Sequence, residues 1–312
     1  MTRVAVLAGG RSPEREVSIR SGHRVHQALA GRGHEAFLLD PSDAPLVEGL
    51  ASGRADVCYL ALHGRDGEDG TIQRLLELIR LPYTGTAPFE CQLAFDKVLA
   101  KEALRAAGVP TPEWATIQAA ALKDLSAGRI LDVAAERVGF PAVVKPARSG
   151  SAMGVRFVDR EAELPAAVMS ALSFSDAAII ERKIEGTEVA AGLVGNPAEA
   201  LPLVEIVPKS GVYDYASRYT AGATEYFAPA RLEAEIGAAC AREAARSFRA
   251  LGLRDVTRVD LMVDRQGRPW VLEVNVSPGM TETSLLPMAA EAAGIPLETL
   301  CERILEAALA RN

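Results

Sequence analysis

Hydrophobic and polar positions alternate along this chain in two regimes. Up to about residue 94, short apolar runs trade places with amphipathic stretches. Residues 4–8, 36–39 and 57–62 read as buried strands, and residues 17–30 and 72–79 as helices. Strands alternating with helices predict a parallel sheet, with a ligand crevice at the carboxyl ends of its strands. Two glycine-rich segments fall at those ends: Gly9-Gly10-Arg11-Ser12-Pro13-Glu14-Arg15-Glu16-Val17-Ser18 and His63-Gly64-Arg65-Asp66-Gly67-Glu68-Asp69-Gly70. Neither fits GxGxxG, and GxxxxGK[ST] occurs nowhere, so a dinucleotide fingerprint and a P-loop are both unsupported.

From about residue 95 the order changes. A helix carrying Lys97 and Lys101 is expected to run to Gly108, where Gly108-Val109-Pro110-Thr111-Pro112 ends it. Residues 141–146 read as a strand ending in Lys145-Pro146, residues 148–154 as a glycine loop, and residues 155–158 as a second strand. Such a loop can fold over phosphates with its backbone N–H groups as donors. A helix over 161–172 and a strand over 177–181 follow, and the remainder closes with helices over 233–251 and 297–309. The predicted units are 1–94, 95–183 and 184–312.

The alternation is clearest near the C-terminus. Residues 257–263 place Arg258 and Asp260 on one face and Val259, Leu261 and Val263 on the other. Residues 270–275 place Glu273 and Asn275 against Trp270, Leu272 and Val274 in the same way. A hairpin with a four-residue loop sets Asp260 opposite Val271 and diagonal to Glu273, on the same face; one residue more in the loop separates the carboxylates. Two carboxylates and an amide oxygen suit a hard divalent cation beside nucleotide phosphates. A solvated polar face is the other reading of the same residues.

Composition narrows the classes. The chain has 312 residues, 49% hydrophobic and 24% charged, as in ordinary globular proteins with room for two or three units. A net charge of −7 gives no reason to expect nucleic acid or an anionic membrane as partner, so an anionic ligand must be held by local cations. No apolar run reaches the roughly 18 residues of a membrane helix. The four cysteines form no CxxC pair and read as free thiols, which makes the cytoplasm the expected address. Lys97 and Lys145 are candidate phosphate ligands. The stretch holding Glu181, Arg182, Ile184 and Glu188 can offer backbone groups to an adenine and a carboxylate to ribose hydroxyls, or is a strand end with surface charges.

The order of these pieces resembles the ATP-grasp superfamily and, within it, the D-alanine–D-alanine ligases. The likeness runs from Gly9-Gly10 and Ser12-Pro13-Glu14-Arg15-Glu16-Val17-Ser18 through the His63–Thr71 segment, Leu81-Pro82-Tyr83-Thr84-Gly85 and Asp96-Lys97. It continues through Val144-Lys145-Pro146, Tyr213-Asp214-Tyr215 with Tyr219, and Glu273, Asn275 and Ser277-Pro278-Gly279-Met280-Thr281. The resemblance implies a Rossmann-like parallel-sheet unit followed by a two-part ATP-grasp fold. It implies that ATP phosphorylates one D-alanine carboxylate, that a second D-alanine attacks the acyl phosphate, and that the dipeptide serves peptidoglycan synthesis. Asp260, Glu273 and Asn275 would hold two magnesium ions, replaceable by manganese, and Arg258 with the Gly279 N–H would stabilise the oxyanion. Glu14 and His63 would meet the first substrate and Ser284 the second, while Ser151 and Tyr219 would link the glycine loop, a mobile loop over 209–224 and Glu14. A homodimer is also implied. Two positions depart from the family pattern: Ala152 stands where a second serine is usual, and Arg218 where lysine is usual. A sibling ligase joining D-alanine to D-serine or another small amino acid is the alternative.

Overall fold

The structure is a computed structural model that describes residues 1–43, 46–51, 53–124, 127–214, 217, 218, 220 and 222–311. Its first sheet is parallel, with β1 (Arg3–Leu7) between β2 (Glu35–Leu39) and β3 (Val57–Leu60). The unbroken apolar run of β1 has a physical cause, because both of its faces are covered. Val4 and Val6 pack with Val25 and Leu29 of the helix Arg15–Gly31 and with Leu300 and Ile304 of the C-terminal helix Leu297–Leu309. Ala5 and Leu7 pack with Ile72 and Leu76 of the helix Thr71–Leu78. The last helix of the chain therefore roofs the first sheet.

The second sheet is antiparallel, in the order β4 (Trp114–Gln118), β7 (Ala177–Arg182), β5 (Ala142–Pro146), β6 (Arg156–Val158). Its core joins Ile117, Val144 and Ile180 to Val138 and Val168 of the helices Ala127–Val138 and Leu164–Leu172. The expected strand–glycine loop–strand is β5, the 148–154 loop and β6. The helix expected over 161–172 starts as a 3₁₀ turn at Glu161–Glu163, with Pro165 in the first turn of the α-helix behind it. Strand β4 was not expected. Its two buried side chains, Trp114 and Ile117, lie three apart and give no alternation of period two.

The third sheet runs β11 (Thr224–Phe227), β10 (Val204–Pro208), β8 (Gly186–Gly195), β12 (Val256–Asp264), β13 (Pro269–Asn275), with β9 (Ala198–Ala200) paired to β8. Val259, Leu261 and Val263 face the core with Val189, Ala191, Leu193 and the helix Ala234–Ala250, as the alternation predicts. The opposite face of β12 carries Asp260 and Met262 toward the second sheet and Arg258 toward Glu14 and His63 of the first unit. All four cysteines are buried free thiols. Among the described residues no helix is long and apolar enough to cross a membrane.

Candidate active site

The β12–β13 register differs from the sequence expectation. The turn is shorter, with Asp264 N–H bonded to the Arg268 carbonyl at 3.0 Å and Gly267 at φ +77°. Leu261 then pairs with Val271, so regular pairing would set Asp260 opposite Leu272 and turn Glu273 away. A β-bulge between Asp260 and Leu261 absorbs Leu272 as an extra residue. Asp260 therefore pairs directly with Glu273, not with Val271, and Arg258 pairs with Asn275. The bulge also corrects the apolar face. Val271, expected on the polar face, enters the core with Val274, whereas Leu272, expected beside Val274, lines the cavity with Met262.

On this face every charge is compensated. Arg258 donates from Nε and Nη2 to the two Asp260 oxygens at 2.7 and 2.8 Å, a bidentate pair almost sealed from solvent. Burial opposes the Arg258 charge, but the Asp260 carboxylate outweighs it and raises the guanidinium pKa. Lys97 reaches Glu273 at 3.1 Å and donates to the Ser149 carbonyl at 2.6 Å. Burial alone would raise the Glu273 pKa; Lys97, Arg218 and Lys145 outweigh it and hold it at about 2. The Asn275 Oδ1 accepts the Ser277 N–H at 2.8 Å. Lys97 reaches this point because Asp96 caps the helix Lys97–Ala106, accepting the N–H groups of Val98 and Leu99.

Two cavities meet here. The larger, of about 300 Å³, is bounded by Lys97, Lys145, Ile184, Glu188, Leu272 and Glu273. Lys145 donates to Glu181 at 2.8 Å, and Arg182, although at the rim, turns its Nε to the Val138 carbonyl at 3.2 Å. Burial pushes Glu188 up to about 7 against the opposing pull of Arg218. The smaller cavity, of about 110 Å³, is bounded by Glu14, His63, Arg258, Gly279 and Ser284, and shares Glu273 and Arg218 with the larger one. Glu14 sits at the N-terminus of the helix Arg15–Gly31 and accepts the Ser151 hydroxyl. Its carboxylate is pinched between two glycines: a Cβ at Gly64 would lie 2.2 Å from Oε2, and one at Gly150 would lie 2.6 Å away. That oxygen is buried and has no hydrogen-bond partner among the described residues, and burial raises the Glu14 pKa.

His63 faces the Ser277 carbonyl through Nδ1 at 2.9 Å and the Ser21 hydroxyl through Nε2 at 3.1 Å. A carbonyl only accepts, so Nδ1 carries the proton; Ser21 donates to Nε2 while accepting the Met280 N–H at 3.0 Å. Burial lowers the His63 pKa to about 4, so the ring is neutral at pH 7. Ser284 precedes the helix Leu285–Ala292; its hydroxyl pairs with the Thr281 hydroxyl at 2.8 Å and accepts the Thr281 N–H at 3.0 Å. A Cβ at Gly279 would meet this hydroxyl at 2.6 Å.

The expected residues Glu14, His63, Lys97, Lys145, Ser151, Glu181, Ile184, Glu188, Arg218, Arg258, Asp260, Glu273, Asn275, Gly279 and Ser284 thus line or support these two cavities. Tyr219 lies outside the described residues. Three further participants were not expected. Glu68 is buried, accepts the Gly64 N–H at 3.0 Å, and is pushed by burial to about 8. Tyr213 stacks under Arg218 at 4.5 Å and meets the Tyr226 hydroxyl at 3.2 Å. Lys101 binds Glu181 at 2.8 Å. Its position one turn after Lys97 on the same helix face was the available signal.

Known proteins resemble this chain in sequence and fold. Residues 103–306 match the family model described as D-ala D-ala ligase C-terminus, and residues 43–86 match that described as D-ala D-ala ligase N-terminus. The D-alanine–D-alanine ligase of Pelotomaculum thermopropionicum is 42% identical over 312 residues, covering 98% of this chain and 96% of the relative. The ligase of the same name from Anaeromyxobacter dehalogenans is 43% identical over 306 residues, covering 98% and 96%. The crystal structure of the Bacillus anthracis D-alanine–D-alanine ligase superposes with a TM-score of 0.85 at 32% identity, covering 100% of this chain and 98% of that one. Its complex with ATP gives 0.84 at 30% identity, with the same coverage. The VanG D-Ala:D-Ser ligase of Enterococcus faecalis gives 0.84 at 25% identity, covering 98% of both chains. With matches of this extent to both halves and to whole relatives, this chain belongs to the D-alanine–D-alanine ligase family.

Proposed function

We propose that the chain joins two molecules of D-alanine at the expense of ATP. The γ-phosphoryl group passes to the carboxylate of the first, giving an acyl phosphate and ADP. The amino group of the second attacks that carbonyl, loses a proton, and displaces phosphate to leave the dipeptide. The observation that carries this reading is the junction at Glu273 and Arg218, where a larger cavity edged by lysines meets a smaller one holding Glu14 and Arg258.

Each role follows from the chemistry of its neighbourhood. Lys97, Lys145 and Arg218 offset polyphosphate charge in a protein whose net charge is −7. The segment of Glu181, Arg182, Ile184 and Glu188 receives the adenosine. The Oε2 of Glu14, without a hydrogen-bond partner among the described residues, takes the ammonium of the first D-alanine beside His63, and Ser284 takes the carboxylate of the second. Arg258 and the Gly279 N–H meet the oxyanion, where one such donor is worth about 3 kcal/mol of barrier. Ser151, with Tyr219, positions Glu14. Asp260, Glu273 and Asn275 would hold the two magnesium ions, since two directly opposed carboxylates and an amide are hard oxygen donors, which the ions would share with Arg258 and Lys97. Magnesium bound there masks phosphate charge and polarises the γ-phosphoryl group; manganese suits the same donors.

The test supplies ATP, magnesium and D-alanine and follows phosphate and dipeptide, which should appear in equal amounts. Dipeptide formed only when D-serine is the second substrate would move the reading to the sibling ligase, to whose Enterococcus faecalis example the likeness is weaker, 25% identity against 32% for the Bacillus anthracis enzyme. A cytoplasmic homodimer built of units 1–94, 95–183 and 184–312 belongs to the same proposal. Sedimentation velocity and limited proteolysis test the assembly and the units.

A further inference from the structure

We propose that Lys101, which touches neither cavity, is a positioning residue that sets the net positive charge of the nucleotide site by neutralising Glu181. The inference rests on reading the larger cavity as the ATP site.

Lys101 is held in a way that excludes ligand contact. It lies one helical turn after Lys97, and its side chain and that of Glu181 are each only 3% exposed. The ammonium binds Glu181 Oε2 at 2.8 Å, donates to the Thr111 hydroxyl, and rests over the Trp114 ring at 5.1 Å. Thr111 is fixed in turn by donating to the Val271 carbonyl at 2.9 Å. All of its directions are therefore occupied by protein. Burial lowers the Lys101 pKa, and the Glu181 carboxylate opposes that shift.

Charge pairing gives this arrangement its consequence. Inward of the mouth, each cation faces a carboxylate: Lys97 faces Glu273, Lys145 faces Glu181, Arg258 faces Asp260, and Arg218 faces Glu188. Three of those pairs cancel, and Glu188, raised to about 7 by burial, offsets Arg218 only in part, so among the described residues the wall carries little net charge to offer a polyphosphate. Lys101 is the additional cation. By holding the second oxygen of Glu181, it leaves the Lys145 ammonium only half committed at its 2.8 Å contact. Lys145 thus keeps charge to offer a phosphate, while Glu181 stays ionised and stationary.

The distinguishing readout is the ratio of ATP affinity to adenosine affinity, since adenosine carries no phosphate. Calorimetric titration of the full chain with ATP, ADP and adenosine should show that Lys101→Met lowers this ratio on the order of tenfold, with ADP intermediate. Glu181→Gln should raise it, and the double variant should return it to the wild-type value. The double variant also guards against misfolding, because removing both partners of a buried pair is far less disruptive than removing one. If Lys101→Met does not fold, a double variant matching wild type and lying below Glu181→Gln supports the proposal. Equal losses for ATP and adenosine in Lys101→Met, or equality of the double variant with Glu181→Gln, would overturn it. A wild-type chain that binds adenosine but neither ATP nor ADP would overturn both this proposal and the reading of the cavity.

Discussion

Acid should unfold this protein partly through His63, and the size of that effect follows from the structure. The ring is 5% exposed, and burial lowers its pKa to about 4 against a usual value near 6.5. In the unfolded chain the same ring binds a proton below about pH 6.5, which the native state refuses until about pH 4. Stability is therefore intact above that window and lost as the pH falls through it. Each pH unit inside the window costs about 1.4 kcal/mol, so His63 alone removes about 2 kcal/mol between about pH 7 and about pH 5. Glu68 acts in the opposite direction, because its pKa is raised to about 8 and its proton stabilises the native state as the pH falls. A difference between two proteins that share Glu68 cancels that contribution. His63→Gln is the suitable perturbation, since its amide can donate to the Ser277 carbonyl and accept from Ser21 as the ring does. Urea unfolding followed by the fluorescence of Trp114 and Trp270 gives the stability of each protein at both pH values. Wild type should lose about 2 kcal/mol more than the variant on acidification. Parallel losses would refute the neutral buried ring.

Three further outcomes are expected on the proposed reading. Arg258→Ala should lower the maximal rate by about 10²–10³ while changing ATP affinity much less; steady-state kinetics with varied ATP will show whether the rate or the KM carries the loss. Asp260→Asn or Glu273→Gln should abolish dipeptide formation, and near-normal turnover by either would defeat the metal assignment. Gly150→Ala places a Cβ 2.6 Å from the Glu14 carboxylate and should raise the KM for D-alanine at least about tenfold with little change in ATP binding.

How much of the site could be read in the sequence depended on whether a local rule fixed it. The parallel strands β1 to β3 and the inward face of β12 follow from apolar spacing. The bulge does not. Leu272 continues an alternation of Trp270, Leu272 and Val274, and only packing of Val271 and Val274 together against the helix Ala234–Ala250 makes the bulged register the better one. Strand β8 was also hidden, because Ala190, Ala191, Gly192 and Gly195 lack the β-branched signature of a strand. Gly192 is small for a reason seen only in three dimensions: a Cβ there would lie 2.7 Å from Leu286. Glu68 and Lys101 were present in quoted segments, yet burial turns a surface-type charge into a site group, and burial is a property of the whole fold.

Glu14 shows how the separate parts of the chain become one reaction centre. It is supplied by the first sheet's glycine loop, held by Ser151 from the second sheet's loop, and faces Glu273 from the third sheet. Its carboxylate is raised in pKa by burial and by the Glu273 charge, and one oxygen has no hydrogen-bond partner among the described residues. Lys97 and Arg218 pull that pKa down only in part, and on the proposed reading the ammonium of the first D-alanine pairs with the free oxygen. Binding of the first D-alanine and ionisation of Glu14 are then linked: each favours the other by the same free energy. On the proposed reading, affinity for that substrate is expected to fall as Glu14 takes up a proton, whereas ATP affinity, assigned there to Lys97 and Lys145, need not follow. The same linkage explains why the two glycines flanking Glu14 matter. Lacking side chains, they let two loops come up against the carboxylate and narrow access to the oxygen that the ammonium would take.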